Sequence, residues 1–277
     1  MDPCAFALLG FAEASAGIAR TQRENREGWW AHARRSKAFI LDAAARVARP
    51  RLAVVLGAGK AYDLPLAELA ERFERVVLID IDAAALEATC AATIRDRKKV
   101  ELRPMDVTGV TARLAQGIQS ALDAPAPQKA FDALCRSYRL ASLPRFVDQR
   151  ADLLVSGMVL SQLGLQPKLA AKRLYEARFG APFPQAWAQP WDALERRLQQ
   201  DHIDALGAQA ELTVLSSDVV HRSGGEAWSV IGAQRLAERI PSSLRILAHA
   251  AWTWQRVRAG AVVTEVEALV LEPASAA

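Results

Sequence analysis

The sequence predicts a doubly wound α/β fold: a mostly parallel sheet of seven strands with a C-terminal antiparallel hairpin, preceded by an N-terminal helical lid. Three observations predict it. From Leu52 onward, short runs rich in Val, Leu and Ile alternate with helical stretches, the pattern of parallel strands covered on both faces. The first run turns at Gly57-Ala58-Gly59, a strand-to-helix turn. At the end of the chain the helical stretches give way to two longer β-like segments, Ser243 to Gln255 and Ala261 to Leu271, joined near Gly260.

The elements follow in order. Residues 4 to 49 read as two helices, one Ala-rich up to about Arg20 and one from near Gly28 to Val47, where Ile40, Ala43, Ala44 and Val47 recur at helical spacing before Pro50. Leu52 to Leu56 is the first strand, Leu64 to Phe73 a helix, and Val76 to Ile79 a second strand ending in Asp80. A helix from Ala83 to about Ile94 precedes a third strand, Val100 to Arg103, which ends near Asp106. Another helix spans Val110 to Leu122, and Ala124-Pro125-Ala126-Pro127 breaks the pattern. Residues 128 to 148 read as irregular or partly helical.

Asp152 to Val155 is a fourth buried strand leading into Ser156-Gly157-Met158. The prolines at 167, 182, 184 and 190 divide the next segment, with helices expected near 168 to 179 and 191 to 206. Leu212 to Leu215 forms strand five, with Ser216, Ser217, Asp218 and His221 at or beyond its end; a Ser-Gly-Gly turn and a helix from 229 to 239 come next. In the final hairpin Thr264, Val266, Ala268 and Val270 share one face, and Glu265 and Glu267 the other. The implied organisation is a lid over 1–49 and one domain over 50–277, with a helical insertion at about 160–207.

Composition sets the class. The 277 residues are 51% hydrophobic and 24% charged, values that exclude disordered and fibrous chains. A net charge of +4 without long blocks of one sign argues against a dedicated nucleic-acid surface. Three separated cysteines without a C-x-x-C spacing read as reduced thiols, which favours the cytoplasm, and no metal site is implied. No apolar run has the length of a membrane span.

The most informative stretch is Leu52 to Asp80. Glycines at a strand end let backbone approach a ligand, and an acid 23 positions after Gly57 suits a ribose diol. The same glycines could serve packing alone. A dinucleotide turn would place a third small residue where this chain has Tyr62, followed by Asp63, a poor setting for a pyrophosphate. An aromatic ring and a carboxylate better suit a ligand with an ammonium and a sulfonium.

On these residues the sequence resembles the class I S-adenosylmethionine-dependent methyltransferases, over about residues 50 to 271. Val54-Val55-Leu56-Gly57-Ala58-Gly59 resembles the family's first motif, Val77-Leu78-Ile79-Asp80 its second and Met105-Asp106-Val107 its third. Asp152 to Leu163 resembles the D-x-V-x-S-x-x-x-L-x-x-L pattern of small-molecule methyltransferases. The resemblance implies S-adenosylmethionine as cofactor and a small-molecule acceptor. It places Gly57, Ala58 and Gly59 at the methionine portion, Asp80 at the ribose diol, Asp106 at the adenine amino group, and Ser156, Gly157 and Met158 at the pocket floor. Ile81, Val107, Tyr62 and Asp63 complete the implied cofactor set. Where the family often has an acid and a third glycine, this chain has Val55 and Ala61, so that contact with the cofactor's amino group falls to Asp63.

Acceptor-side residues follow from position. His221, just past a strand end, is the candidate base, against a solvated loop histidine as the plainer reading. The second helix carries Trp30, His32 and Arg35, with His32, Arg35 and Phe39 spaced to share a face; a lid over an acceptor and a solvated basic face are both open. Gln162 completes the substrate set. Trp187 and Trp191, with Phe179 and Phe183, mark either acceptor specificity or a satellite hydrophobic cluster; Trp252 and Trp254 mark core packing or a homodimer contact. The rivals to methyl transfer are a nicotinamide-dependent oxidoreductase and a non-catalytic binding protein on the same fold.

Overall fold

The structure, a computed structural model, describes residues 3–138, 144–256 and 262–274. Eight strands form one sheet: β1 (Leu52–Leu56), β2 (Arg75–Asp80), β3 (Val100–Pro104), β4 (Ala151–Gly157), β5 (Ala210–Ser223), β6 (Glu226–Ser229), β7 (Leu244–Gln255) and β8 (Val263–Pro273). Their order is β3-β2-β1-β4-β5-β8-β7, with β6 beside the far end of β5. The first five pair in parallel and β6, β7 and β8 antiparallel. This is the expected doubly wound sheet with its antiparallel hairpin. The turn of that hairpin, around Gly260, lies outside the described residues.

The helices are α1 (Pro3–Leu9), α2 (Phe11–Glu24), α3 (Arg26–Ala45), α4 (Leu66–Arg72), α5 (Ala83–Thr93), α6 (Thr111–Asp123), α7 (Pro127–Ser137), α8 (Leu165–Phe179) and α9 (Gln185–Gln209). Two hydrophobic clusters sandwich the sheet. Val54, Leu56, Val77 and Leu154 face α1, α6, α7 and α9, whereas Ala53, Val55, Leu78 and Val155 face α3, α4 and α5. Alternate residues of one strand thus enter opposite cores, which is why β1 and β4 are apolar throughout. Asp152 fixes their relative register at the other end. Its carboxylate accepts from the backbone N–H of Arg51 and Leu52, at 3.1 and 2.8 Å, and from the Arg51 guanidinium at 2.7 Å. Burial acts to raise the Asp152 carboxyl, but these donors hold it below the ordinary carboxylate range.

Several expectations require correction. Among the described residues there are eight strands rather than seven, because Ser223 and Glu226 pair across Gly224 and Gly225, whose φ values of 58° and 85° fit a two-residue hairpin turn. β5 therefore continues well past Leu215, and the helix expected over 229–239 is a strand end, an irregular stretch and a short 3-10 turn at Leu236–Arg239. The N-terminal segment holds three helices rather than two. α9 begins at Gln185 and passes through Pro190, where Trp187 and Trp191 stack on Phe131 at 4.3 and 5.6 Å and hold that turn in place. The segment read as irregular or partly helical contains α7, while residues 139–143 lie outside the described ones. Glu267 on β8 is buried, and its carboxylate accepts the backbone N–H of Leu236 at 2.8 Å.

Among the described residues no helix is long and apolar enough to cross a membrane.

Candidate functional site

A cavity of about 540 Å³ opens at the carboxyl ends of the parallel strands. It lies where the chain reverses its direction of winding, β1 to β3 running one way and β4 to β5 the other, the place where open α/β sheets bind ligands. The turn after β1 forms its floor. Gly57 has φ 74°, and a Cβ there would lie 2.4 Å from Val159 Cγ2, so this position needs glycine for conformation and for space. At Gly59 a Cβ would lie 2.9 Å from Asp80 Oδ2; without one, the Gly59 N–H donates to that oxygen at 2.9 Å. Ala61, at the place where a third glycine was expected, has φ 47°, a left-handed conformation held without glycine. Met158, following β4, shares this strain at φ 58° and also lines the cavity.

Two carboxylates end neighbouring strands. Asp80 accepts the Gly59 N–H on Oδ2 and the Asp82 N–H on Oδ1, at 2.8 Å. A carboxylate offers about four acceptor positions, so about two remain for a ligand. Burial holds the Asp80 carboxyl above the ordinary carboxylate range, against the backbone donors that favour its charge. Asp106 differs. Its Oδ1 accepts from the Thr108 N–H at 2.9 Å and hydroxyl at 2.6 Å, and its Oδ2 from the N–H groups of Val110 and Thr111, both at 2.8 Å. Four donors occupy it, so the expected contact with an adenine amino group has no acceptor position left on Asp106; the side chain builds the start of α6 instead.

Asp63 lines the cavity and contacts His32 Nε2 through Oδ2 at 3.3 Å. Trp252 Nε1 donates to His32 Nδ1 at 3.0 Å, so the proton of the neutral ring sits on Nε2, facing Asp63. The His32 ring stacks on Trp254 at 4.1 Å, and Trp29 meets Trp254 and Tyr62 edge-on at 4.7 and 5.7 Å. Trp252 and Trp254 are therefore packed under α3.

The structure brings together Gly57, Gly59, Tyr62, Asp63, Asp80, Ile81, Asp106, Val107, Gly157, Met158 and Gln162 around the cavity. It does not bring Ala58, Ser156, His221, Trp30, His32 or Arg35 to the wall. Ala58 is buried in the core beneath the turn. Ser156 Oγ is turned to His202 Nε2, at 2.9 Å. His221 lies inside β5 opposite Trp228, not past a strand end, because the pairing with β6 and β8 extends that strand. The buried face of α3 runs through Trp29, His32, Ser36, Ile40 and Ala43; Arg35 lies outside it, and Trp30 is 63% exposed with Arg34 over its ring. His32 stands behind the wall and acts on it through Asp63. Trp187, Trp191, Phe179 and Phe183 belong to an aromatic cluster over Phe131 and Tyr175, away from the cavity.

Sequence reasoning placed the Ala-rich helix and Asp218 but missed that both line the cavity. Phe11, Ala14, Ile18 and Thr21 of α2 line one wall, although no residue of that helix is fully buried. Their i, i+3, i+7 spacing was a readable signal, obscured by the Ala-rich composition. Asp218 is 3% exposed, lines the cavity from β5, and was expected at the end of a shorter strand.

No family model matches the sequence, and no curated protein matches it. Solved structures do. The chain is similar to the N-methyltransferase NodS from Bradyrhizobium japonicum WM9, with 12% identity over 90% of this chain and 98% of that one and a TM-score of 0.47. It is similar to an S-adenosylmethionine-dependent methyltransferase from Clostridium acetobutylicum ATCC 824 (7%, 86% and 91%, TM-score 0.43) and to an rRNA methylase from Streptococcus thermophilus (11%, 84% and 92%, TM-score 0.37). Likeness this distant carries neither an activity nor an acceptor to this chain. What stands on the chain's own strand order is the fold, a Rossmann-like, mostly parallel sheet closed by an antiparallel pair.

Proposed function

We propose that the chain binds S-adenosylmethionine and catalyses methyl transfer to a small-molecule acceptor. The observation that carries this reading is Asp80: a half-buried carboxylate at the end of β2, anchored by two backbone donors, with acceptor positions left beside a cavity at the switch point of the sheet. That is the chemistry a ribose diol needs. Tyr62, Trp29 and the Asp63 carboxylate, held by His32, suit the positively charged end of the same ligand. Asp63 on the cavity wall is unfavourable to a pyrophosphate, which disfavours a dinucleotide.

Once bound, S-adenosylmethionine supplies an activated methyl group for in-line displacement. The protein's part is alignment and exclusion of water. α2 lines one wall of the cavity, and Gln162, Leu163 and Leu165 line it towards α8. A small acceptor fits this enclosure better than a polymer does.

One observation favours a second reading, a binding protein without catalysis: Asp106 is fully engaged within its own loop. Calorimetric titration with S-adenosylhomocysteine, with NADH and NADPH as controls, separates the readings. Micromolar binding of S-adenosylhomocysteine alone, lost in Asp80→Ala, is expected. Absence of binding by all three ligands sinks the enzyme reading and brings forward the second.

A further inference from the structure

One carboxylate of the cavity wall, Asp218, is not used by the cofactor reading. Asp218 sits on β5, two residues beyond Ser216, whose carbonyl accepts the Met158 N–H at 3.0 Å. It is 3% exposed, and its Oδ1 is buried without a hydrogen-bond partner. Its Oδ2 has His221 Nε2 at 3.7 Å, beyond hydrogen-bond reach, and that nitrogen is also unpartnered. Among the described residues no lysine or arginine nitrogen lies within ion-pair distance of it. The pairing of β5 with β8 shifts register between Asp218 and Val220, and bulges of this kind re-aim side chains next to sites.

A buried carboxylate without donors is costly to maintain, and in native proteins such groups are met by a ligand or a partner. Asp218 shares the cavity wall with Trp254, Trp29 and Met158, and with the apolar face of α2 through Phe11 and Ile18. The wall therefore joins Asp218 to aromatic and aliphatic surface, and of its carboxylates Asp63 faces His32 while Asp80 and Asp106 accept backbone N–H groups. We propose that Asp218 binds the acceptor, and that the acceptor is an amine carried on an apolar body. This rests on the methyl-transfer reading above.

The chemistry selects the amine. As the nitrogen lone pair forms the N–C bond, the C–S bond breaks and its electron pair stays on sulfur; positive charge leaves sulfur and appears on nitrogen, whose N–H groups remain. A carboxylate beside that nitrogen favours the charge that develops there. Beside a phenolate or carboxylate acceptor the same group would repel the nucleophile.

The test titrates the protein, with and without saturating S-adenosylhomocysteine, with benzylamine, phenethylamine and tryptamine, and with benzyl alcohol and phenylacetate as matched bodies. Calorimetry and quenching of tryptophan fluorescence report binding. The amines should bind at least tenfold more tightly than the alcohol or the acid, and Asp218→Asn should weaken amine binding at least tenfold while leaving the S-adenosylhomocysteine Kd within twofold. Equal binding of alcohol or acid, no binding of any amine, or unchanged amine affinity in Asp218→Asn overturns the proposal. Failure of S-adenosylhomocysteine to bind would instead remove the methyl-transfer reading, and the titration without it still tests Asp218. If Asp218→Asn does not fold, Asp218→Ser serves the same comparison.

Discussion

Asp80 and Asp106 end adjacent strands of one sheet, line the same cavity and look alike in the sequence, yet their surroundings assign them opposite tasks. Asp80 keeps about half of its accepting capacity, at the expense of burial that lifts its carboxyl above the ordinary range. Asp106 gives all of its capacity to Thr108, Val110 and Thr111. The lesson is that an acid at a strand end is a binding group only if its own loop leaves it donors to seek. Residue type and spacing do not reveal this; the conformation of the following loop does.

The largest effect that would sharpen the contrast is on stability. Asp106→Ala leaves four donors without their acceptor and removes support from the first turn of α6, and should cost about 3 kcal/mol in denaturant unfolding. A loss below 1 kcal/mol would mean that the loop does not depend on this carboxylate. A similar magnitude is expected from acid. His202 packs beneath the Asp106 loop near Val107 and Thr108, and complete burial pushes its imidazole down to about 4. Between the ordinary histidine value near 6.5 and about 4, the unfolded chain binds the proton and the folded chain does not, so stability falls as pH falls through that window. The full loss is about 3 kcal/mol. Unfolding curves at pH 7 and 4.5 should show it, and His202→Gln should flatten the dependence.

Asp80→Asn is the converse case. It should change stability by less than about 1 kcal/mol, since removing a half-buried charge offsets the loss of one backbone contact, while S-adenosylhomocysteine affinity falls tenfold or more. Equal losses of stability and binding in the two aspartate variants would break the comparison. The smallest effect is expected at Ala61→Gly, which relieves a left-handed alanine and should raise stability by no more than about 1 kcal/mol without altering the ligand.

The parallel sheet, the glycine turn and Asp80 were legible because apolar runs and strand-end residues are set by local sequence. The extension of β5 was not, since it depends on pairing with β6 and β8, and with it went the placement of His221. The two readings of α3 could not be separated by sequence, because packing against β7 turns Trp29, His32 and Ser36 inward while Arg34 and Arg35 mark the outer, solvated side. Asp218 became visible only when its lack of donors was seen in three dimensions.

α2 has no fully buried residue, and its far end is tied to the sheet by Asn25, whose side-chain amide donates to the Gln255 carbonyl at 2.6 Å. Such a helix belongs to the least protected part of a fold, because detaching it exposes little that was hidden. Ligand traffic can then proceed by brief release of one helix while the sheet stays intact. A molecule seated beneath Phe11 and Ile18 supplies the contacts that the helix lacks, so occupancy of the cavity and slow amide exchange in α2 become two readings of one equilibrium.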